Sequence, residues 1–270
     1  MTTWNTAFCE TNGIALHYTR TGGRKPPLIL LHGLMTKGLC WTSLAQALEP
    51  EYDVIMPDAR GHGQSSVPNY GYRYENHADD IAGLIRALQL PPAFLLGHSM
   101  GGMTAAVVAS RHPALLRGLI LADPTFLSPQ VQREVWDNNV AEQHRQMLGK
   151  SEEEIVAEAR VRHPNRSAET LALFAQARLQ TSLRAFDVLM PPNPEYRPLV
   201  RELRVPTLLV FGDKGIISAA VAEELQRLNP RLQAEQLRAA GHALQLDQPE
   251  RFAALVQNFL REESARPARS

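Results

Sequence analysis

Cysteine is nearly absent from this chain: 270 residues contain two, Cys9 and Cys40, far apart and without a CxxC or metal-like spacing. That scarcity excludes a disulfide framework and a thiolate metal site, suits a reducing compartment, and leaves both as packing residues. Neither sign of charge is in excess, with 28 Lys plus Arg against 28 Asp plus Glu. The chain therefore lacks the electrostatic footprint of a nucleic-acid or anionic-membrane binder. Long apolar runs are missing too. No stretch approaches the roughly 18 apolar residues of a membrane span, and residues 1–13 lack the basic segment and apolar run of a secretory signal. No His, Cys, Asp and Glu cluster has metal-ligand spacing, and neither GxGxxG nor a P-loop is present, so no metal and no cofactor is implied. The expectation is a soluble, cytoplasmic protein that binds small molecules, without nucleic-acid or membrane partners.

What is present is an alternation of strands and helices. Continuous apolar runs at 28–31, 54–56, 94–96, 119–122 and 207–211 read as strands covered on both faces, with an alternating strand at 14–18 and a weaker one at 232–237. Helical patterns fall between them at 41–48, 76–88, 100–110, 219–228 and 249–260. This order predicts an α/β fold with a mostly parallel sheet, whose ligands bind at the carboxyl ends of the strands. With 44% hydrophobic residues the core is sizeable. The alternation breaks from about 128 to 199, where helical segments follow one another. Ser151 and Glu154 form a capping-box pattern, Ser167 begins another helix, and Pro191, Pro192 and Pro194 end the run. The expected organisation is a core of 1–127 and 200–262, a three-helix insertion at 128–199 serving as a lid, and a flexible tail at 263–270.

One pentapeptide carries most of the chemical information. Gly97-His98-Ser99-Met100-Gly101 lies between an apolar strand and a small-residue helix. It reads as a serine on a sharp turn whose neighbours two residues away must lack side chains. A bare GxSxG also occurs by chance, and a Gly-rich turn can bind phosphate or merely reverse the chain. A serine hydroxyl attacks a carbonyl only when a base removes its proton, so a histidine is required.

Together with His32-Gly33, Asp58-Ala59-Arg60-Gly61-His62-Gly63-Gln64-Ser65 and Gly241-His242, in that order, the pentapeptide makes the chain resemble the α/β-hydrolase superfamily over nearly its whole length. The resemblance implies an eight-stranded, mostly parallel sheet flanked by helices with a helical cap. It implies Ser99 as nucleophile, His242 as base, and an oxyanion hole built from the backbone N–H groups of Leu34 and Met100. His32, His98 and the Asp58–Ser65 loop match positions whose role is mainly architectural, and the remaining histidines read as surface or packing residues.

The acid member departs from the common pattern. Many relatives carry it three residues after a glycine that follows a strand like 207–211, but Gly212-Asp213-Lys214-Gly215 puts glycine there. Asp213 is two residues early. Asp123, at the end of the strand after the elbow helix, matches relatives whose acid follows that strand, and it is the acid assigned here, with Asp213 the alternative. A carboxylate at either place would accept the second imidazole N–H and fix its tautomer. The resemblance implies a cofactor-independent serine hydrolase of carboxylic esters, lactones by preference, with water as co-substrate. Carbon–carbon bond hydrolysis and amide cleavage remain open on the same triad. So does a non-catalytic receptor that keeps the fold.

Overall fold

In β3 (Pro27–Leu31) every residue is buried, and its side chains alternate: Ile29 and Leu31 join one apolar cluster while Leu28 and Leu30 join another. A strand that feeds two cores must lie inside a sheet covered on both sides. The computed structural model describes residues 4–266. Its eight strands form one sheet in the order β1 (Asn5–Thr11), β2 (Ile14–Arg20), β4 (Asp53–Pro57), β3, β5 (Ala93–His98), β6 (Leu116–Ala122), β7 (Thr207–Lys214) and β8 (Leu232–Gly241). All neighbours from β4 to β8 are parallel, whereas β2 runs antiparallel to both β1 and β4. β1 shows little apolar alternation and is largely exposed. Its pairing follows from the Asn12-Gly13 turn, where φ values of 46° and 75° at the two residues match the hairpin turn that this dipeptide favours.

Helices α1 (Thr42–Leu48), α2 (Tyr74–Ala87), α3 (Met100–Arg111), α9 (Ala219–Leu228), α10 (Leu244–Asp247) and α11 (Pro249–Ala265) accompany the sheet. α3 is buried from Met100 to Ala109, which explains its run of Gly, Ala and Val: small residues let it press on the strands. Arg117 at the start of β6 donates to the carbonyls of Glu263 (3.2 Å) and Ser264 (2.5 Å), and Glu263 is buried. The last helix is therefore ordered through Ala265, beyond the expected start of the tail at 263; residues 267–270 lie outside the described part.

Between β6 and β7 the chain makes five helices rather than the expected three: α4 (Pro129–Asp137), α5 (Val140–Met147), α6 (Glu152–Arg162), α7 (Ala168–Leu179) and α8 (Tyr196–Glu202). A 3-10 turn, Leu183–Leu189, precedes the last. One extra break comes at Asn139, which takes a left-handed φ of 47° and whose side chain then accepts from the Glu142 N–H at 3.3 Å; the other additional helix is α8, which follows Pro194, where the run is expected to end, and crosses the expected boundary at 199. The Ser151–Glu154 capping box forms, with reciprocal bonds of 3.2 and 2.8 Å. The insertion is fastened to loops that follow β3 and β4: Lys37 Nζ donates to Gln180 Oε1 at 3.0 Å, and the Ser182 N–H to the Gly61 carbonyl at 2.8 Å. Those loops leave the carboxyl ends of the strands. Among the described residues no helix is long and apolar enough to cross a membrane.

Candidate active site

Ser99 is the single residue between β5 and α3, held at φ 56°, ψ −119°. A non-glycine residue in such a region costs about 1–3 kcal/mol and persists only where packing enforces it. Here the two flanking glycines permit it. A Cβ on Gly97 would run into the Gly101 carbonyl, and one on Gly101 would meet the His32 carbonyl at 2.7 Å. The Ser99 N–H donates to the Ala122 carbonyl (3.1 Å), and its own carbonyl accepts from the N–H groups of Gly102 (2.9 Å) and Thr125 (3.2 Å). The turn is thus pinned between the ends of β3, β5 and β6.

Three side chains from three strand ends meet there. His242, just after β8, lies with Nε2 2.9 Å from Ser99 Oγ and Nδ1 2.6 Å from Asp123 Oδ2. Asp123, just after β6, is fully buried and takes a left-handed φ of 42°. Its carboxylate also accepts the N–H groups of Ile216 (2.8 Å) and Ile217 (3.0 Å). An ionised carboxylate can only accept, so the imidazole must carry its proton on Nδ1, which leaves the Nε2 lone pair facing the serine hydroxyl.

The two candidate acids are separated by geometry. Asp213 is exposed and accepts from the Ala239 N–H (2.6 Å) and Gln236 Nε2 (3.2 Å), so it braces the irregular stretch of β8 where Ala239 has φ 59°. At Gly215 a Cβ would stand 2.5 and 2.6 Å from the two Asp123 carboxylate oxygens. The glycine at the position where many relatives carry their acid leaves open the volume that the Asp123 carboxylate fills.

Leu34 and Met100 also come to Ser99. A Cβ on Gly33 would lie 3.2 Å from Ser99 Cβ, so the chain entering Leu34 passes beside the serine. Met100 is the first residue of α3; its N–H belongs to the first turn, which has no intrahelical acceptor and carries the positive end of the helix dipole. The Leu34 side chain packs on the core cluster and Met100 is buried, so both are apolar neighbours of the serine.

Further residues act on the three, one of them inside the pentapeptide and others without sequence patterns of their own. His98 donates Nε2–H to the His242 carbonyl at 2.7 Å, and the two rings are 4.7 Å apart. Burial, reinforced by the neighbouring His242, brings the His98 pKa down to about 4, so it is a neutral clamp at physiological pH. The Gly241 N–H is held by Asp247 Oδ2 at 2.9 Å. The Ile216 and Ile217 amides are equally silent in sequence, since backbone donors carry no residue signature.

The other motif residues build loops. His32 bonds the Gly33 carbonyl through Nδ1 (2.8 Å) and accepts the Ala59 N–H on Nε2 (2.9 Å); burial lowers its pKa and keeps it neutral. Asp58 gathers His17 Nδ1 (2.9 Å), the Gly38 N–H (2.7 Å) and the Gln64 N–H (3.0 Å). Burial pushes its pKa up, but these bonds outweigh it and hold the carboxyl below its ordinary range. His62 is fully buried, with its pKa brought down to about 3 by burial and by the neighbouring His32. Among the described residues no group of three or more His, Cys, Asp and Glu side chains is placed to hold a metal ion.

Residues 26–249 match the family model for the alpha/beta hydrolase fold. The chain is 28% identical to the 2-(acetamidomethylene)succinate hydrolase of Mesorhizobium japonicum over 253 residues, 89% of this chain and 90% of that protein. It is 32% identical to the N-formylmaleamate deformylase of Pseudomonas putida over 262 residues, 93% of this chain and 94% of that one. Among solved structures, a thermophilic esterase from Thermogutta terrifontis superposes with a TM-score of 0.79 at 29% identity, covering 96% of this chain and 99% of the esterase. A match to the family model along most of its length, together with relatives aligned nearly end to end, makes the chain a member of the α/β-hydrolase fold family.

Proposed function

We propose that the protein is a cofactor-independent serine hydrolase that splits carboxylic esters, lactones included, through an acyl-enzyme on Ser99. The observation that carries this reading is the relay itself: a strained, glycine-flanked serine 2.9 Å from an imidazole whose other nitrogen is 2.6 Å from a buried carboxylate. His242 Nε2 takes the hydroxyl proton as Oγ bonds to the carbonyl carbon. The charge that develops on the carbonyl oxygen is met by the N–H groups of Leu34 and Met100; a donor of this kind contributes about 10²–10³ in kcat. His242 then returns the proton to the leaving alkoxide, and a water repeats the sequence on the acyl group. Asp123 remains ionised throughout, fixes the tautomer and stabilises the imidazolium.

The helices of 128–199, tied to the loops after β3 and β4, serve in this reading as the lid that shapes the acyl pocket. Substrate and water are the partners. The free thiols Cys9 and Cys40 fit the reducing cytoplasm.

A second reading concerns the bond rather than the machinery. Two relatives aligned nearly end to end are named for a 2-(acetamidomethylene)succinate and an N-formylmaleamate, which favours hydrolysis at an N-acyl group. The same His242 would then protonate a departing nitrogen. Both readings require Ser99. Ser99→Ala is expected to lower turnover of a p-nitrophenyl ester by about 10⁶-fold, and a fluorophosphonate should add one label to the wild type alone by intact mass. Matched ester and N-acyl substrates compared by kcat/KM choose the bond. Equal inertness of wild type and Ser99→Ala towards both panels, with no labelling, would reject the enzyme and favour a receptor.

A further inference from the structure

Tyr74, the first residue of α2, is buried, and its hydroxyl lies 3.0 Å from Thr125 Oγ1. Among the described residues this is the one hydrogen bond of that hydroxyl. Burial pushes the phenol pKa up to about 12, with the Thr125 bond offsetting part of the rise, so the hydroxyl stays a neutral donor. Thr125 lies between Asp123 and α4 and faces the elbow: its N–H is 3.2 Å and its Oγ1 3.4 Å from the Ser99 carbonyl. The threonine hydroxyl has a single proton. Donated to the Ser99 carbonyl, it leaves the Thr125 oxygen to accept from Tyr74. The groups form one chain that runs from the Tyr74 hydroxyl through the Thr125 hydroxyl to the Ser99 carbonyl.

That carbonyl shares a planar, rigid peptide unit with the Met100 N–H, and across a trans bond the two point in opposite directions. A donor that fixes the carbonyl therefore fixes the aim of the amide. The N–H groups of Gly102 (2.9 Å) and Met103 (3.1 Å) hold the carbonyl from within α3, whereas Thr125 holds it from the end of β6. Ser99 sits at a strained φ of 56°, a conformation that persists only where its surroundings over-determine it. Donors on the carbonyl also polarise the amide on the other side of the unit, which strengthens it as a donor in turn. The Thr125 hydroxyl contact is the longest of the four, so the Tyr74 hydroxyl acts mainly by keeping Thr125 seated against the elbow.

We propose that Tyr74, acting through Thr125, is a positioning residue for the oxyanion hole: it seats the Ser99–Met100 peptide so that the Met100 N–H meets the charge forming on the substrate's carbonyl oxygen. This rests on the hydrolase reading above and adds to it a side chain from α2 that touches neither the relay nor the substrate. A misplacement of about 1 Å in such a group costs on the order of 100-fold in rate. Because the oxyanion exists only beyond the ground state, the loss falls on kcat and spares KM.

The test uses Tyr74→Phe, which removes only the hydroxyl, and Thr125→Val, which keeps the shape of the side chain. The kcat for a p-nitrophenyl ester is referred to serines titrated with a fluorophosphonate, so misfolded protein drops out. Each variant should lose about 10- to 100-fold in kcat with KM within about twofold. Thr125→Ser, which keeps the hydroxyl, should recover most of the Thr125→Val loss. The double variant should be no worse than the more impaired single one, because the two hydroxyls act as a unit. An aliphatic trifluoromethyl ketone reads the amide directly: Ser99 Oγ bonds to its carbonyl carbon, the serine proton passes to His242 Nε2, and the carbonyl electron pair moves onto oxygen as an oxyanion. Its Ki should rise by the factor by which kcat falls, a coupling that lost stability alone does not produce. An unmoved Ki, or losses that multiply in the double variant, overturns the proposal. Wild type that is labelled and active beside a Tyr74→Phe variant of equal kcat rejects the positioning role alone. Wild type that is neither labelled nor active rejects the hydrolase reading and the positioning role with it.

Discussion

The ends of β6 and β7 lie side by side, and each carries an aspartate, yet only one points into the site. Asp123 turns inward on a left-handed backbone, is fully buried, and collects two backbone N–H groups and an imidazole. Asp213 turns outward and steadies an irregular part of β8. Each forms hydrogen bonds, so the difference lies in the volume available. Gly215 has no side chain, and the Asp123 oxygens fill the space its Cβ would claim. What the relay requires is a carboxylate at one point in space, and neighbouring strand ends offer two routes to that point.

Removing the inner carboxylate should have the largest effect. Asp123→Asn is expected to lower kcat by about 10⁴-fold, the scale of a lost tautomer-fixing acid, with an unchanged circular dichroism spectrum. The double variant Asp123→Ala/Gly215→Asp tests the two routes: steady-state assay should show kcat recovering about 10- to 100-fold over Asp123→Ala alone. Gly215→Ala in the wild type should crowd the carboxylate, cost about 1–3 kcal/mol by chemical denaturation, and lower kcat in proportion to the displaced relay. Asp213→Asn should leave kcat within about threefold and change stability by no more than about 1 kcal/mol.

The same contrast extends to the two adjacent histidines. His242 faces a carboxylate, whereas burial and the neighbouring His242 bring His98 down to about 4 from an ordinary 6.5. The unfolded chain then binds the extra proton between those values. Stability is complete above 6.5 and falls as pH drops toward 4, by at most about 1.4 kcal/mol per pH unit for this one group. Denaturation at pH 7 and 5 should show that loss, and His98→Gln should flatten the His98 share of it.

How far the sequence reveals these features depends on the kind of contact. The elbow was readable because sterics force glycine at 97 and 101, and steric necessity leaves a residue signature. The inner strands were readable because burial on both faces demands unbroken apolar runs such as Leu28–Leu31. β1 was not, since an exposed hairpin arm needs only its Asn12-Gly13 turn. The count of insertion helices failed twice: at Asn139, whose left-handed conformation makes a break that no proline or glycine marks, and after Pro194, where a further helix forms instead of the sheet resuming. The carboxylate beside His242 was legible only as a displacement: glycine at 215 marks the absence, and Asp123 stands at the neighbouring strand end. The amides of Ile216 and Ile217 are backbone donors and left no trace, and for His98 the resemblance gave an architectural role but not its partner, since a backbone carbonyl carries no residue signature.

The most direct test is the proton shared by His242 and its carboxylate, observed as a far-downfield imidazole N–H resonance in proton NMR. The resonance should be present in wild type and Asp213→Asn and lost in Asp123→Asn. Its loss in Asp213→Asn with retention in Asp123→Asn would contradict the assignment of the relay.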